Sequence, residues 1–82
     1  MFKVLKRDGS IQDFDRYKII NGVMKSGATQ EVADAVALDV EAAFADKTDT
    51  DQVSYVDIRT KVLESLEQRD PTSGQTFAAY HK

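Results

Sequence analysis

The sequence predicts one small α+β domain, spanning residues 1–82, in which an N-terminal β-hairpin packs on a four-helix cluster. Two observations indicate this fold class. Apolar and polar residues alternate around an Asp8-Gly9 turn signal, and apolar residues recur at helical spacing in the four segments that follow. Of the 82 residues, 41% are hydrophobic and 30% are charged, which suits a single core. Because a two-stranded hairpin is marginal in water, it must pack on the helices or gain a third short strand.

The hairpin precedes the first helix. Asp-Gly is a strong signal for a left-handed turn, and the second strand is expected at residues 11–14. Asp15 is a suitable N-cap and Gly27 a suitable C-terminal stop, so we predict the first helix at about 16–26. Its apolar stripe is expected to consist of Tyr17, Ile20, Val23 and Met24.

The second helix begins at Thr29 and is the longest that the sequence predicts. Its apolar stripe is expected to consist of Val32, Ala35, Val36, Val40, Ala43 and Phe44. A polar break over residues 47–51 separates this helix from the next element. The following segment, Gln52-Val53-Ser54, fits either a short extended piece or the lead-in to a third helix.

Two further helices complete the prediction. The third is expected from about 55 to 68, because apolar residues repeat there every four positions at Ile58, Val62 and Leu66, with Leu63 beside them. Asp70 can cap a fourth helix and Pro71 suits its first position, although Gly74 weakens the beginning of that helix. The residues expected to turn inward from it are Phe77, Ala78 and Tyr80.

Composition excludes several classes of function. The chain has no cysteine and one histidine, which excludes disulfides, thiolate zinc sites and a histidine-rich metal centre. It has no Gly-x-x-x-x-Gly-Lys-Ser/Thr loop, and His81 has no triad context, so we expect a protein without catalysis of its own. No apolar run approaches the ~18 residues of a membrane span, and no signal peptide precedes the first strand. We therefore expect a cytoplasmic protein with no membrane partner.

Acidic residues in the polar break do not predict a metal site. Asp49, Asp51 and Asp57 lack the central glycine and terminal glutamate of a calcium-binding EF-hand loop. Asp8 is explained by the hairpin turn. We therefore expect no metal ligands among these side chains.

Charge is distributed unevenly along the chain, whose net charge is −3. Residues 1–26 contain six basic and three acidic side chains, whereas residues 27–82 contain five basic and eleven acidic ones. The first part favours an anion site, and the acidic remainder argues against DNA as a partner. In an arbitrary protein, Lys6 and Arg7 before a hairpin turn would more often form a solvated strand edge, so charge alone leaves both interpretations open.

The spacing of three short motifs narrows the choice. The run Val4-Leu5-Lys6-Arg7-Asp8-Gly9, then Phe14-Asp15, then Lys18-Ile19, resembles the ATP-cone. This is a regulatory nucleotide-binding domain found at the N-terminus of many ribonucleotide reductase large subunits and in a bacterial repressor of their genes. The family pattern is approximately Val-x-Lys-Arg-Asp-Gly, four variable positions, Phe-Asp, two more, and Lys-Ile, and each element is present.

The resemblance extends over the rest of the chain. Val56-Asp57-Ile58 and Val62-Leu63 resemble the family's third helix, and Phe77-Ala78-Ala79-Tyr80-His81 resembles its closing Tyr-x-x-Tyr-Arg. The chain departs from the family at His81, which stands where an arginine is usual. His81 and Lys82 could reach a phosphate, or could belong to a frayed terminus.

The resemblance implies a nucleotide site over the hairpin and the first helix. Lysine and arginine side chains there suit a triphosphate, and the helix start offers backbone N–H groups. By resemblance, Asp15 could accept a hydrogen bond from the ribose or base, and the aliphatic residues would enclose the base. The implied contacting positions are Val4, Lys6, Arg7, Asp15, Lys18, Ile19, Ile58 and Arg59. We expect any magnesium to be held mainly by phosphates and waters.

The resemblance also implies a function. ATP or dATP would act as the allosteric effector that controls the overall activity of a ribonucleotide reductase. The implied partners are that enzyme's catalytic domain or subunit, and an effector-dependent oligomer is compatible with the family. We expect the chain to be the N-terminal part of a longer protein. The repressor carries a cysteine-rich zinc ribbon ahead of its cone, and the lack of cysteine argues against that complete protein. The alternatives are a fragment of the repressor that starts after the ribbon, and a free-standing cone that acts on a partner in trans. The competing hypothesis is a small protein-interaction or DNA-binding module with a degenerate nucleotide site, although the acidic surface makes DNA the less favoured partner.

Overall fold

The computed structural model describes residues 2–80 and shows a three-stranded sheet with four helices, which confirms the α+β class. The strands are β1 (Lys3–Leu5), β2 (Ile11–Asp13) and β3 (Gln52–Ser54). The helices are α1 (Arg16–Lys25), α2 (Gln30–Ala43), α3 (Tyr55–Arg69) and α4 (Pro71–Tyr80). The expected inward side chain of Tyr80 and the expectations for His81 and Lys82 lie outside what the structure describes.

The sheet has the strand order β2-β1-β3, so the hairpin does gain a third strand. β1 pairs antiparallel with β2 and parallel with β3, and Val4 lies opposite Gln12 on one side and Val53 on the other. The segment that the sequence left open between a strand and a helix lead-in is therefore extended. Val53 is 4% exposed and belongs to the core, which explains why this short strand is held against β1.

The hairpin turn runs from Lys6 to Ser10. The amide of Gly9 donates to the carbonyl of Lys6 at 3.1 Å, and the amide of Lys6 donates to the carbonyl of Ser10 at 2.9 Å. Gly9 has φ +88°, and among the described residues only glycines have a positive φ, so the turn depends on a residue without a side chain. The Asp8 carboxylate accepts from the Ser10 amide at 2.9 Å and from its hydroxyl at 2.6 Å, which is a turn role.

Each helix begins after a residue whose side-chain oxygen accepts a hydrogen bond from a backbone amide two or three positions later. These residues are Asp15, Thr29, Ser54 and Asp70. The predicted caps of α1, α2 and α4 are thereby confirmed. Gly27, with φ +101°, follows the end of α1 as predicted.

The core lies between the inner face of the sheet and the helices. Phe2 is 1% exposed, and its ring centroid lies 4.8 Å from that of Phe14 and 5.4 Å from that of Phe44. Every helix contributes residues to the same core. The buried apolar residues are Phe2, Ile20, Val23, Ala28, Ala33, Val36, Ala37, Val40, Val53, Ile58, Val62, Leu66 and Phe77.

The apolar stripes of α1 and α2 differ from those predicted. Tyr17 is 67% exposed and Met24 is 41% exposed, because the buried arc of α1 is centred on Val23 and these two residues fall outside it. On α2, Ala33 and Ala37 are buried, whereas Ala43 is exposed. α2 packs against both α1 and α3, so it buries a wider face than a single stripe.

The remaining helices follow the sequence closely. On α3 the four-residue repeat is buried as predicted, with Leu66 0% exposed, and Leu63 packs at the edge of the core. On α4, Phe77 is buried and Ala78 is half-buried. In the part of the chain that the structure describes, no helix is both long and apolar enough to cross a membrane.

Candidate functional site

A cleft of about 160 Å³ opens between the hairpin, α1 and α3, and Phe77 of α4 reaches it from the far side. Every element that was predicted to carry the site contributes to it. The lining residues are Val4, Lys6, Gln12, Asp13, Phe14, Asp15, Lys18, Ile19, Gly22, Tyr55, Ile58, Arg59, Val62 and Phe77. The cleft thus combines apolar and charged side chains, as small-molecule sites usually do.

The interior of the cleft is apolar. Ile58, Val62 and Phe77 are buried, so their side chains form a fixed wall that belongs to the core as well as to the cleft. Val4 from β1 and Ile19 from α1 are half-buried and face the same space. A planar aromatic base could be enclosed here because such a surface gains from excluding water.

Basic side chains approach the cleft from three different elements. Lys6 comes from the hairpin turn, Lys18 from α1 and Arg59 from α3. Lys18 Nζ donates to Gln12 Oε1 at 3.2 Å. Because an ammonium can only donate, this contact orients the amide of Gln12 and leaves its NH₂ group as a further donor at the cleft. The rim is therefore rich in hydrogen-bond donors, which suits an anionic ligand.

The start of α1 places a second kind of polar group at the cleft. Asp15 Oδ1 accepts from the amide of Tyr17 at 2.9 Å, which fixes the carboxylate at the helix N-terminus. Its other oxygen remains as an acceptor for a hydroxyl or an amino group. The cleft thus suits a ligand that carries hydrogen-bond donors as well as anionic groups better than one that carries anionic groups alone.

Asp13 also lines the cleft, but Lys3 balances its charge. The two side chains form an ion pair across the β1-β2 ladder, where these residues lie opposite each other. The hydrogen bond from Lys3, and then its charge, lower the pKa of Asp13, and the same pair raises the pKa of Lys3. Asp13 therefore subtracts little from the positive character of Lys6, Lys18 and Arg59.

Arg59 is half-buried and is held in an unusual way. Its Nη2 donates to the backbone carbonyl of Ala78 in α4 at 3.3 Å. Its Nε is shielded from solvent and has no acceptor among residues 2–80. The guanidinium therefore lies at the cleft with unused donor capacity.

Seven of the eight site residues predicted from the sequence line this cleft, and the eighth, Arg7, does not. Arg7 is exposed, and its guanidinium carbon lies 5.7 Å from the centroid of the Tyr55 ring. Arg7 lies in the hairpin turn, after β1 has ended, and its side chain lies against the Tyr55 ring, whereas Val4 and Lys6 both line the cleft. Arg7 therefore contacts one wall of the cleft from outside, as a cation over an aromatic ring.

Sequence reasoning missed seven lining residues. These are Gln12, Asp13, Phe14, Gly22, Tyr55, Val62 and Phe77. Strand alternation carried a signal for Gln12, since it pairs with Val4 across the hairpin and so shares its face. The sequence contained no such signal for Tyr55 or Phe77, because their approach to the hairpin depends on how α3 and α4 pack.

The described residues contain no group of three His, Cys, Asp or Glu side chains placed to hold a metal ion. In the polar break, Asp51 Oδ2 accepts from the amide and the hydroxyl of Thr48, at 2.8 and 3.3 Å. The Asp51 carboxylate thus stabilises the loop over residues 48–51 through hydrogen bonds within the loop. The cleft itself offers mainly cationic and apolar groups, so its own chemistry favours an anion over a bare cation.

Comparison with known proteins agrees with this geometry. The family model described as ATP cone domain matches residues 2–80. A protein from Archaeoglobus fulgidus called uncharacterized is 34% identical over 44 residues, which cover 54% of this chain and 94% of that protein.

Longer relatives carry a functional name. The transcriptional repressor NrdR of Clostridium kluyveri is 31% identical over 83 residues, covering 96% of this chain and 54% of the repressor. The NrdR repressor of Solibacter usitatus is 28% identical over 85 residues, covering 99% of this chain and 55% of the repressor. The chain spans about half the length of these repressors. The match over residues 2–80, together with the cleft that those residues form, shows that this chain belongs to the ATP-cone family.

Proposed function

We propose that this domain binds an adenine nucleotide, ATP or dATP, in the cleft and acts as an allosteric regulator without consuming the nucleotide. The observation that carries the proposal is the meeting of Lys6, Lys18 and Arg59 at the rim of an apolar cleft. A nucleoside triphosphate is both strongly anionic and partly apolar, so its two halves match the two parts of the site.

Each part of the nucleotide has a proposed partner. The cations at the rim would bind the phosphates, and the N-terminus of α1 would add backbone donors and a favourable dipole. Val4, Ile19 and Ile58 would enclose the base, and Asp15 would accept from the ribose or the base. Magnesium, where present, would be held mainly by the phosphates and by water.

We infer a regulatory role because the two carboxylates that line the cleft already have other roles. One oxygen of Asp15 caps α1 and its other oxygen is assigned to a hydrogen bond from the nucleotide, while Asp13 is paired with Lys3. Binding can then change activity elsewhere only if the nucleotide has different affinities for two states of the domain. ATP and dATP differ at the 2′ position, so each would stabilise its own state.

The regulated partner has two candidates. Control of a ribonucleotide reductase is the role that the sequence motifs suggested. The named relatives are transcriptional repressors, which favours gene repression and runs against the expectation that DNA is not a partner. The two readings are compatible at the level of this domain, since in either case the cone senses a nucleotide. Because residues 27–82 are strongly acidic, we propose that any DNA contact of a longer protein is made outside the acidic surface of this domain.

An NMR titration with ATP, dATP and GTP, each with magnesium, tests nucleotide binding. We expect saturable shifts of backbone amides at residues 4–19 and near 58, larger for the adenine nucleotides than for GTP. Amides in the middle of α2, which does not line the cleft, serve as an internal control. Absence of shifts at millimolar nucleotide would overturn the proposal.

A second measurement separates the two partners. The longer protein that contains this chain would be tested for retention of a duplex carrying a reductase promoter, and for a change in reductase activity on mixing, each with and without ATP. Retention that depends on nucleotide and weakens with salt supports repression. A nucleotide-dependent change in reductase turnover without DNA retention supports control of the enzyme.

A further inference from the structure

Arg59 connects the cleft to the last turn of α4. Its side chain lines the cleft, while its Nη2 donates to the carbonyl of Ala78, 19 positions further along the chain. Phe77, the neighbour of Ala78, reaches the cleft with its own side chain. One turn of α4 is therefore linked to the cleft twice, because Phe77 lines it and Ala78 accepts from Arg59, which also lines it.

The hydrogen bond between Arg59 and Ala78 joins α3 to the last turn of α4 that the structure describes. A carbonyl oxygen has two lone pairs, so it can accept from a side chain in addition to a hydrogen bond within its helix. A cation near the C-terminal part of a helix also interacts favourably with the helix dipole. Arg59 thus holds this turn from outside α4.

This contact between Arg59 and Ala78 is weak enough to be exchanged. The distance of 3.3 Å is long for an N–H···O hydrogen bond, and the acceptor is a neutral carbonyl. Phosphate oxygens form shorter hydrogen bonds with arginine, roughly twice as strong as neutral ones, and prefer two donors of the guanidinium at once. Arg59 Nε is shielded from solvent and has no acceptor among residues 2–80, so the guanidinium must turn before that donor can meet an anion.

We infer that Arg59 is a switch between α4 and the nucleotide: phosphate binding draws the guanidinium off the Ala78 carbonyl and loosens the last turn of α4. This inference rests on the proposed function and adds the route by which the effect of nucleotide binding is transmitted from the cleft to the rest of the domain. α4 packs mainly on α3, the helix that carries Arg59, and less on α1, so the Arg59–Ala78 contact lies within the main interface of α4. Occupancy of the cleft would be transmitted as a change in the order of this turn.

Amide hydrogen exchange, read residue by residue on the whole chain, tests the inference. With saturating ATP and magnesium, we expect the amides of residues 77–80 to exchange faster by roughly threefold or more, while amides of α2 do not. Without nucleotide, Arg59→Ala should show the same faster exchange at 77–80, and ATP should then add little. The Arg59 Nε–H resonance of the wild type should also shift on binding.

Arg69→Ala is the matched control, because it removes the same side chain from the same helix at a position away from the cleft. It should leave exchange at 77–80 near the wild-type rate and keep the response to ATP. If ATP binds and exchange at 77–80 is unchanged or slower, the switch is overturned while the proposed function stands. If ATP does not bind at all, both are overturned.

Discussion

Gly74 of α4 lies directly against Glu67 of α3. A Cβ atom built on Gly74 would lie 2.6 Å from Cγ of Glu67, closer than real Cβ atoms come to a neighbour, and 3.2 Å from Cα of Glu67, which is tight. The glycine that weakened the helical pattern in the sequence is therefore what lets the two helices meet. Phe77, three residues further along α4, lines the cleft, so the close packing at Gly74 lies on the same helix as one wall of the site.

Gly74→Ala should destabilise the domain even though alanine favours helices by roughly 1 kcal/mol. The added methyl group forces a shift of α4, at a cost of about 1–3 kcal/mol beyond that gain. Thermal unfolding should show a lower Tm than the wild type. Gln75→Ala, at an exposed position of the same helix, should not lower it. Glu67→Ala should recover part of the loss when combined with Gly74→Ala, and a more stable Gly74→Ala protein would contradict the packing.

Lys18→Ala and Lys6→Ala should each weaken ATP binding about tenfold, because each removes a charged donor from the rim of the cleft. Isothermal titration calorimetry measures the change. Lys25→Ala is the control, since Lys25 is an exposed lysine of α1 that does not line the cleft. All three variants should unfold near the wild-type temperature. Unchanged affinity in both rim variants would remove the phosphate assignment.

Asp15→Asn separates the capping role of Asp15 from its proposed role in binding. Asparagine caps a helix about as well as aspartate, so the Tm should stay close to that of the wild type. Its remaining polar group is an NH₂, which cannot accept from a ribose hydroxyl or a base amino group. We expect a several-fold loss of ATP affinity at unchanged stability. Equal or tighter binding by this variant would show that the carboxylate does not accept from the ligand.

Asp39 should make the stability of the domain depend on pH. The hydrogen bond from Ser65, then that from Arg69, lowers the pKa of the Asp39 carboxyl, with a smaller contribution from Lys61. The Ser65 hydroxyl lies 2.6 Å from Asp39 Oδ2 and Arg69 Nη2 lies 3.0 Å from it, joining α2 to α3. A lowered pKa in the folded state gives stability that is present above the unfolded-state pKa and is lost as the pH falls through the folded-state value.

Asp39→Asn should therefore be less stable than the wild type at pH 7, by no more than about 1 kcal/mol because the pair is partly solvated. The difference between the two proteins should shrink as the pH falls below about 4. Urea denaturation at a series of pH values measures it. Asp46→Asn, at an exposed position after α2, should show no such difference. If the difference in free energy of unfolding between the two proteins did not change with pH, the ionised form of Asp39 would not be favoured in the folded state.

Local chemistry explains why much of the fold could be predicted. Asp8-Gly9 sets the hairpin turn, the caps at Asp15, Thr29 and Asp70 set helix starts, and the four-residue repeat of α3 sets its buried face. These features depend on residues that are close in sequence, so they can be recognised without knowing which distant residues pack against them. The cationic part of the site follows in the same way from the spacing of Lys6 and Lys18 on the hairpin and α1.

Packing decided what the sequence left open. Three residues around Val53 carry too little periodicity to separate a strand from a helix lead-in, and the edge of β1 makes them extended. Tyr17 and Met24 are exposed because the elements that pack against α1 determine which of its faces is buried. Arg7 lies over Tyr55 and Arg59 bonds to Ala78 because α3 and α4 bring together residues distant in sequence. Local patterns thus predict the hairpin, the four helices and the basic character of the cleft. Which side chains face the cleft depends on tertiary packing, because packing brings together residues that are distant in sequence.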